Sequence, residues 1–521
     1  MLAEVVGGDD TIIHARGAGI LPALERVDRV WRERRDAWEQ NSSTNTPALP
    51  FYGGWIGFIG FECGEWIEPA VTRGPSNAQR MPSDARDTAT SPPDLWLARC
   101  DAALVHDALT GEWHAVGEPT QANALHARAL AVQDAITACA GVDAWPEPTA
   151  HPPLSLVPVE SDAEYEADVR RAIEYVHAGD VFQVNVARRF IAEVPADLAS
   201  WRAIGARALG LARYGAYLEV GGAHATDPHA AAGCAIASYS PELFLTVDGA
   251  TGRIVTRPIK GTMGAVAVEA GTARTPSETS NSRAAFESNA KERAELHMIV
   301  DLMRNDLSRV CQPRTVRVAS ARVLEDHPTV LHGVGEVEGT LRHDASLLDI
   351  LRATFPPGSV TGAPKIRAVQ IIRELERAPR GPYCGAIGCL SDCGSMTWSV
   401  AIRTGVVARA MCAEGAAGEV GAEGADSATQ TETPPPKRPV TTRAGGPFEF
   451  FLNEPPTRGP RGSGSAGAVH APAAHLTYWA GCGVVAESEP AREVRESWEK
   501  VGVVGHPLPS ASSSSFLASP H

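Results

Sequence analysis

The chain has 521 residues, of which 44% are hydrophobic and 21% charged, with 49 Gly and 39 Pro. This length allows two or three ordinary domains, or one large α/β assembly with insertions. The formal net charge of −15 argues against a nucleic-acid-binding protein, because such a protein needs a concentrated basic face and the Lys and Arg residues form no cluster. An anionic substrate would therefore need a local Arg, Lys or metal ion.

The sequence contains no targeting or membrane signal that we recognise. Its first residues, MLAEVVGGDD, contain neither a basic region nor an apolar stretch, and no run approaches the roughly 18 apolar residues of a membrane span. Ten scattered cysteines are typical of buried thiols in a reducing compartment. We therefore expect a cytoplasmic protein with no membrane partner.

Three segments contain few core-forming residues and are predicted to be loops or disordered: 67–93, 413–470 and 507–521. The second of them separates MTWSVAIRTGVV (396–407) from HLTYWAGCGVVA (475–486), each of which reads as a strand. The simplest interpretation is a hairpin with a very long loop, because loop closure costs little more free energy as a loop lengthens.

Four helices are predicted from apolar periodicity and from end signals. They cover 162–178, about 286–310, a segment that follows GAPK (362–365), and a short segment from near Ser488. Ser161 and Glu164 form a capping box before the first, and Pro364 suits the first turn of the third. The residues expected to face inward are Tyr165, Val169, Ala172, Val176, Leu296, Ile299, Leu302, Val310, Ile366, Val369, Ile372, Leu375, Val494, Ser497, Trp498 and Val501.

Two glutamates on these helices are candidate metal ligands. Glu295 lies beside Leu296 and Ile299, where a carboxylate is costly unless it meets a cation. Mg²⁺ would suit Glu295 and Glu496, because it commonly takes one or two carboxylates and leaves its other positions to water and an anionic substrate. For Glu496, spacing alone favours a surface ion pair with Lys500 at i+4.

Lys260 stands in RPIKGT (257–262), after the alternating apolar run GRIVT (252–256). A strand that runs into a glycine-containing turn often ends at a pocket, because glycine lets backbone N–H groups approach a ligand. Alone, these residues favour a plainer interpretation, a solvated lysine that closes an edge strand.

Six motifs in order resemble the chorismate-utilising enzymes, and within that family most closely the aminodeoxychorismate synthases. The motifs are SPELF (240–244), RPIKGT (257–262), AELHMIVDLMRNDLSRV (294–310), FPPGSVTGAPKIRAVQII (355–372), AIRT (401–404) and AGCGVVAESEPAREVRES (480–497). The resemblance covers roughly 160–505 outside 413–470, and extends weakly through FYGGWIGFIGFE (51–62). It implies an α+β fold with two packed β-sheets surrounded by helices. The implied domains are an N-terminal region (1–157), a chorismate-binding catalytic domain (158–506) and a flexible tail (507–521).

The resemblance also implies a site. Mg²⁺ would be held between Glu295 and Glu496, with a chorismate carboxylate completing the site, and Arg403 would bind the other carboxylate. The remaining substrate contacts that it implies are Gly261, Thr262, Gly481 and Gly483. The implied catalytic residues are Lys260, Glu242 as an acid or base, and His332 near the leaving group. A dicarboxylate in an acidic protein suits a metal at one end and a guanidinium at the other.

Lys260 decides which reaction the resemblance implies. Anthranilate synthases carry alanine at this position, whereas in the branch with lysine the amine attacks C2 of chorismate, expels the C4 hydroxyl and remains as a covalent adduct until ammonia displaces it from C4. The implied product is 4-amino-4-deoxychorismate, for 4-aminobenzoate and folate biosynthesis. The alternatives are an anthranilate synthase component and a catalytically impaired chorismate-binding relative.

Gln183 and the surroundings of the cysteines indicate which nucleophile is used and where it comes from. Isochorismate and salicylate synthases resemble this chain but carry a water-activating lysine where DVFQVNVARRF (180–190) has Gln183. No cysteine lies in the Gly-x-Cys-x-Gly elbow that a glutaminase of this class needs, and Cys482 only comes nearest. We therefore expect a separate glutamine amidotransferase subunit to supply ammonia. Cys389 and Cys482 depart from the residues usual in the family.

Overall fold

The computed structural model describes most of the chain outside the segments expected to be loops. The described residues are 12–41, 49–73, 92–107, 110–139, 154–194, 201–205, 212–220, 233–264, 290–326, 330–409 and 474–502. The predicted loops at 413–470 and 507–521 lie outside these ranges, as does most of 67–93. All described residues belong to one compact unit.

The helices and strands alternate irregularly along the chain. The helices are α1 (Ile20–Asn41), α2 (Cys63–Ile67), α3 (Pro119–Cys139), α4 (Asp162–His177), α5 (Ala290–Ser308), α6 (Leu347–Thr354), α7 (Lys365–Leu375) and α8 (Pro490–Val501). The strands are β1 (Ile12–Ala15), β2 (Gly54–Ile59), β3 (Leu95–Cys100), β4 (Ala102–His106), β5 (Trp113–Gly117), β6 (Val157–Pro158), β7 (Gln183–Val194), β8 (Ala216–Val220), β9 (Cys234–Ser238), β10 (Leu243–Val247), β11 (Arg253–Arg257), β12 (Ile259–Gly264), β13 (Arg317–Asp326), β14 (Val330–Thr340), β15 (Gly362–Ala363), β16 (Ala386–Ser391), β17 (Met396–Val400), β18 (Thr404–Arg409) and β19 (Ala474–Val484).

The larger sheet has ten strands in the order β1-β3-β2-β16-β17-β10-β11-β14-β12, with β13 paired to β14. Its first three strands in this order come from the predicted N-terminal region, and the rest come from the predicted catalytic domain. They join where β2 pairs antiparallel with β16, from Gly54 opposite Ser391 to Ile59 opposite Ala386. The two regions therefore share one continuous sheet.

The second sheet has seven strands in the order β15-β7-β19-β18-β9-β8, with β6 paired to β7. β18 and β19 pair antiparallel, from Gly405 opposite Tyr478 to Arg409 opposite Ala474. The hairpin predicted on the two sides of 413–470 is confirmed.

Side chains of the two sheets meet in a shared apolar cluster. Phe58 and Ile387 of the larger sheet pack with Val220 and Ile236 of the second. A larger cluster includes inward side chains of α4, α5, α6 and α7 together with strand residues of both sheets. The predicted α+β fold of two packed sheets with outer helices is confirmed.

The predicted start of α4 agrees with the structure in detail. Ser161 Oγ accepts a hydrogen bond from Glu164 N at 3.3 Å, and Glu164 Oε2 accepts one from Ser161 N at 2.9 Å. Tyr165, Val169 and Ala172 are buried on its inner face. A capping box is made by residues three apart, so local sequence suffices to predict this helix start.

The start of α7 differs from the prediction. Val369, Ile372 and Leu375 are buried as expected, but the expectation for Ile366 is wrong because this residue is 40% exposed. Lys365 points inward instead, and its Nζ lies 2.6 Å from Asp306 Oδ2. This ion pair takes the inward position of the first turn, and it explains why the polar RND motif of α5 (304–306) borders an apolar face.

The run predicted as one strand, 396–407, is two strands in different sheets. β17 belongs to the larger sheet and β18 to the second. Between them Arg403 has a φ of +51°, a conformation that residues other than glycine adopt only where their surroundings require it. The chain therefore passes from one sheet to the other at Arg403. Among the described helices, none is both long enough and apolar enough to cross a membrane.

Candidate active site

A β-bulge positions Lys260. In the pairing of β12 with β14, Lys260 lies opposite Gly333 and Thr262 opposite His332, with a register shift between them. Gly261 is the extra residue and has a φ of +76°, which glycine adopts without strain. Bulges of this kind redirect side chains and are common beside active sites. The glycine of RPIKGT therefore shapes the strand at the lysine.

Lys260 reaches from the larger sheet to the second sheet. A side-chain carbon added to Gly483 would lie 3.3 Å from Lys260 Nζ and 2.2 Å from Gln183 Nε2. Gly483 lies on β19 and Gln183 at the start of β7, so three strands from two sheets converge at the amine. Lys260 itself is only half-buried. The interpretation of Lys260 as a solvated lysine on an edge strand does not describe this environment.

Glu242 is a buried carboxyl that feels the charge of this amine. It is 3% exposed, and burial raises its pKa to about 7, while the Ser359 hydrogen bond, the Lys260 charge and the Ile259 backbone N–H act in the opposite direction. A carboxyl with a pKa near 7 can give or take a proton at neutral pH. Glu242 is therefore suited to acid or base catalysis beside Lys260.

Glu496 forms the ion pair that its spacing predicted, but the pair is built into the site. Lys500 Nζ lies 2.8 Å from Glu496 Oε1 and donates a hydrogen bond to Gly481 O at 2.6 Å. Desolvation would raise the pKa of Glu496, but Lys500 and then Lys260 outweigh it, and the pKa is lowered. Glu496 is thus a carboxylate that faces two lysines.

The described residues include one group of oxygen and sulfur atoms close enough together to hold a metal ion. Cys482, Glu493 and Glu496 place these atoms within 4.8 Å of one another. Burial raises the pKa of Cys482 well above its usual range, so its thiol stays protonated and is no ligand for Mg²⁺. The two carboxylates suit Mg²⁺, which prefers oxygen ligands. The donor set at Glu496 therefore fits the metal that the resemblance implies.

Glu295 is not part of that group. It is half-buried on α5, next to Leu296, which is fully buried, and this helix packs against β12 and β14. The structure thus places Glu295 on an element that packs on the Lys260 strand, and its role as a ligand stays a prediction.

Arg403 and Lys500 supply further positive charge. Desolvation lowers the pKa of Lys500 and Arg403 adds to that effect, but Cys482 and Glu496 outweigh both and raise it. Burial raises the pKa of Tyr478 while the Arg403 guanidinium opposes it. Arg403 therefore lies within electrostatic reach of Lys500 and Tyr478, and the site collects the local positive charge that an anionic substrate of an acidic protein requires.

The glycines and His332 have structural reasons for their positions. A side-chain carbon on Gly481 would lie 2.4 Å from Val186 O, so only glycine allows β19 to pair closely with β7 there. His332 is buried on β14, opposite Thr262. These contacts do not test whether the glycines bind substrate or whether His332 lies near the leaving group, so both roles stay predictions.

The sequence reasoning missed three residues of this site. Glu493 is buried and joins the group at Glu496; its i,i+3 spacing from Glu496 on one helix was a signal that could have found it. Ser359 contacts Glu242, and Asn185 lies opposite Gly483. These two lie far from their partners in sequence, so no local pattern could have indicated them.

The two packed sheets bring three cationic side chains and three carboxyl groups near one another, an arrangement that suits a small anionic substrate. The family described as chorismate binding enzyme matches residues 5–433. Aminodeoxychorismate synthase component 1 of Escherichia coli (strain K12) is 33% identical over 398 residues, which cover 75% of this chain and 76% of that protein. Anthranilate synthase component 1 of Pseudomonas aeruginosa is 32% identical over 378 residues, 69% of each chain.

A solved structure of similar fold agrees with this family. The crystal structure of anthranilate synthase component I from Streptococcus pneumoniae TIGR4 superposes with a TM-score of 0.62 at 23% identity, covering 95% of this chain and 90% of that one. This likeness shows the fold. The chain belongs to the chorismate-binding enzyme family.

Proposed function

We propose that this chain is an aminodeoxychorismate synthase component that converts chorismate and ammonia to 4-amino-4-deoxychorismate. The observation that carries the proposal is the amine of Lys260, which lies between the two sheets beside Glu242 and within electrostatic reach of Glu496. The similarity to the Escherichia coli protein with that name supports it. Anthranilate synthase is the second candidate, because proteins with that name are almost as similar.

The first half of the proposed reaction forms a covalent adduct. Neutral Lys260 Nζ attacks C2 of chorismate, the ring double bonds shift, and the C4–O bond breaks. Glu242 in its protonated form gives a proton to the departing hydroxyl, which leaves as water, and it is ionised as a result. The carboxylate then takes the extra proton from the Lys260 nitrogen, so one group with a pKa of about 7 serves both steps.

The second half releases the product. Ammonia attacks C4 with its lone pair, the double bonds shift back, and the C2–N bond to Lys260 breaks. The lysine nitrogen takes up the electron pair and a proton from the incoming nitrogen. The sum is chorismate plus ammonia giving 4-amino-4-deoxychorismate plus water, with Lys260 regenerated.

The charged groups around Lys260 would bind different parts of the substrate. Glu496, Glu493 and Glu295 are the residues that would hold Mg²⁺, which when bound would neutralise one chorismate carboxylate. Arg403 would bind the other carboxylate through its two-pronged guanidinium. Gln183 offers no base for water, so hydrolytic chemistry at C2 lacks a proton acceptor there. A separate glutamine amidotransferase subunit would supply the ammonia.

Product analysis tests the proposal. The purified chain is incubated with chorismate, Mg²⁺ and an ammonium salt, and the lyase that releases 4-aminobenzoate is then added. We expect 4-aminobenzoate that depends on ammonium and is not formed from glutamine by this chain alone. Direct appearance of fluorescent anthranilate would establish the second candidate, and no ammonium-dependent product would reject both.

A further inference from the structure

Arg188 on β7 is a buried cation that joins the second sheet to two helices. Its side chain is fully buried, and it lies opposite Ala480 in the pairing of β7 with β19. Its Nη1 lies 2.6 Å from Asp162 Oδ1, at the first residue of α4. Its Nε and Nη2 donate to Ser497 Oγ of α8 at 3.1 and 2.9 Å. One guanidinium therefore contacts both of the helices that pack on these two strands.

The hydroxyl of Ser497 is fully used by its contacts. It donates to Val494 O, three residues earlier in α8, at 2.7 Å, and it accepts both hydrogen bonds from Arg188. A hydroxyl has one donor and two acceptor positions, so these three bonds satisfy it. Ser497 is itself fully buried. Arg188 thus holds α8 at a point that lies between the helix and the sheet.

Aromatic rings fix the guanidinium of Arg188 in place. Its central carbon lies 5.0 Å from the ring centres of both Tyr165 and Phe190, and 5.2 Å from that of Trp498. A cation over an aromatic face is attracted by the charge distribution of the ring. Trp498 Nε1 also donates to the Asp162 oxygen that Arg188 contacts, at 3.0 Å. The position of the guanidinium is therefore set by α4, β7 and α8 together.

A charge at this place is an expensive way to fill space. Removing a cation from water costs free energy, and apolar side chains of similar volume often fill such a position with equal or greater stability. The side chain of Asp162 is 42% exposed, so solvent weakens its attraction for Arg188. What the guanidinium supplies is direction, because its N–H groups have a fixed planar geometry. This favours a role in orientation over one in stability.

Ser497 lies on the face of α8 that carries the proposed metal ligands. Glu496 and Ser497 follow Glu493 by three and four residues, and residues at these spacings share one face of a helix. Oxygen atoms of Glu493 and Glu496 lie within 4.8 Å of each other. A rotation of α8 about its axis would move both carboxylates, and the two hydrogen bonds at Ser497 oppose that rotation.

We propose that Arg188 is a positioning residue for the metal ligands: by holding Ser497, it sets the rotation of α8 and thereby the direction of Glu493 and Glu496. This inference rests on the proposed function, in which these carboxylates hold Mg²⁺. Loss of a residue that orients a metal ligand commonly lowers metal affinity about 10–100-fold. Arg188 acts through Ser497, with no contact to substrate or metal of its own.

The test compares Arg188→Lys, Ser497→Ala and the double variant with the unmodified protein. Lysine keeps the charge but lacks the fork that bridges Ser497 and Asp162, and alanine removes the hydroxyl. Mn²⁺ is the probe, because it also prefers oxygen ligands, and its binding is measured from the loss of the free-ion paramagnetic resonance signal without chorismate or ammonia. We expect the Kd for Mn²⁺ to rise roughly tenfold in each single variant. The double variant should show no further rise, because both changes break the same contact.

Arg377→Lys is the matched control. Arg377 Nη1 lies 2.6 Å from Asp168 Oδ2, so the same substitution weakens an arginine–aspartate pair on α4 without touching Ser497. We expect its Kd for Mn²⁺ to stay within about twofold of the unmodified value, whatever urea denaturation shows for its free energy of unfolding. A merely structural role for Arg188 would lower the free energy of unfolding and leave the Kd as in this control.

The outcomes separate this inference from the proposed function. An unchanged Kd for Mn²⁺ in Ser497→Ala overturns the inference, and this variant decides alone if Arg188→Lys does not fold. An equal rise in Arg377→Lys, additive effects in the double variant, or no Mn²⁺ binding by the unmodified protein also overturn it. Because Mn²⁺ binding involves neither chorismate nor ammonia, product analysis can reject the proposed reaction while a roughly tenfold loss of metal affinity still supports the positioning role.

Discussion

Replacing Glu242 by glutamine should make the protein more stable and less active, with a stability gain that depends on pH. Burial raises the pKa of Glu242 from its usual 4.5 to about 7. The folded protein therefore binds a proton at Glu242 that the unfolded chain has lost between these values. Stability from this group is present below pH 4.5 and is lost as the pH rises through 7.

The size of the effect follows from the same two values. A difference of about 2.5 pKa units corresponds to roughly 3 kcal/mol of free energy of unfolding that the ionised state forgoes above pH 7. Glutamine stays neutral at every pH, so Glu242→Gln avoids this loss. We expect the gain in unfolding free energy to be about 2 kcal/mol larger at pH 8 than at pH 5.

Urea denaturation of both proteins at the two pH values, without chorismate or Mg²⁺, measures this difference. The matched control is Glu25→Gln on α1, the same substitution at an exposed position. The same Glu242→Gln protein should lose at least about a hundredfold in kcat, since it lacks the proposed acid-base group. An equal stability change at pH 5 and pH 8 would refute the argument that Glu242 is buried with a raised pKa.

Three further predictions concern the lysine, the metal ligands and the long loop. Intact-mass analysis without ammonia should show an adduct equal in mass to chorismate minus water, and Lys260→Ala should abolish it and shift the product towards the 2-amino compound or anthranilate. Lys260→Arg should be nearly inactive because its guanidinium stays protonated. Aminodeoxychorismate formation by the alanine variant at the normal rate would disprove the covalent role. Glu295→Gln and Glu496→Gln should each raise the Mg²⁺ concentration needed for activity severely, because each would remove a proposed direct ligand. An unchanged Mg²⁺ titration would remove that glutamate from the proposed site. Deletion of 413–470 with a short Gly/Ser linker should leave kcat within a few fold, because Arg409 and Ala474 are directly opposite and a short loop can join them; insoluble or inactive protein would show that the segment packs on the fold.

The sequence by itself determined the features that depend on neighbouring residues. The capping box of Ser161 and Glu164 predicted the start of α4 because its two hydrogen bonds join residues three apart. The apolar runs on either side of 413–470 predicted the hairpin, since strand pairing depends little on what the loop contains. The ordered motifs also led to the right family and fold class, as the match over residues 5–433 shows.

Only the tertiary structure decided which elements meet. The apolar alternation through 396–407 hides the break at Arg403, because a positive φ at a residue other than glycine is imposed by the two sheets that it connects. The exposure of Ile366 likewise follows from an ion pair between Lys365 and Asp306, residues far apart in sequence. Local periodicity contains no information about either.

In the site, too, the sequence indicated local pairs and only the tertiary structure showed what surrounds them. Spacing alone indicated an ordinary surface pair between Glu496 and Lys500, and that pair exists. The pair belongs to the site because Lys500 also donates a hydrogen bond to the carbonyl oxygen of Gly481, and because Lys260 approaches from the other sheet. The raised pKa of Glu242 and the unpaired oxygen of Asn185 arise from burial. Burial is a property of the packed sheets, so these features of the site exist only once the chain has folded.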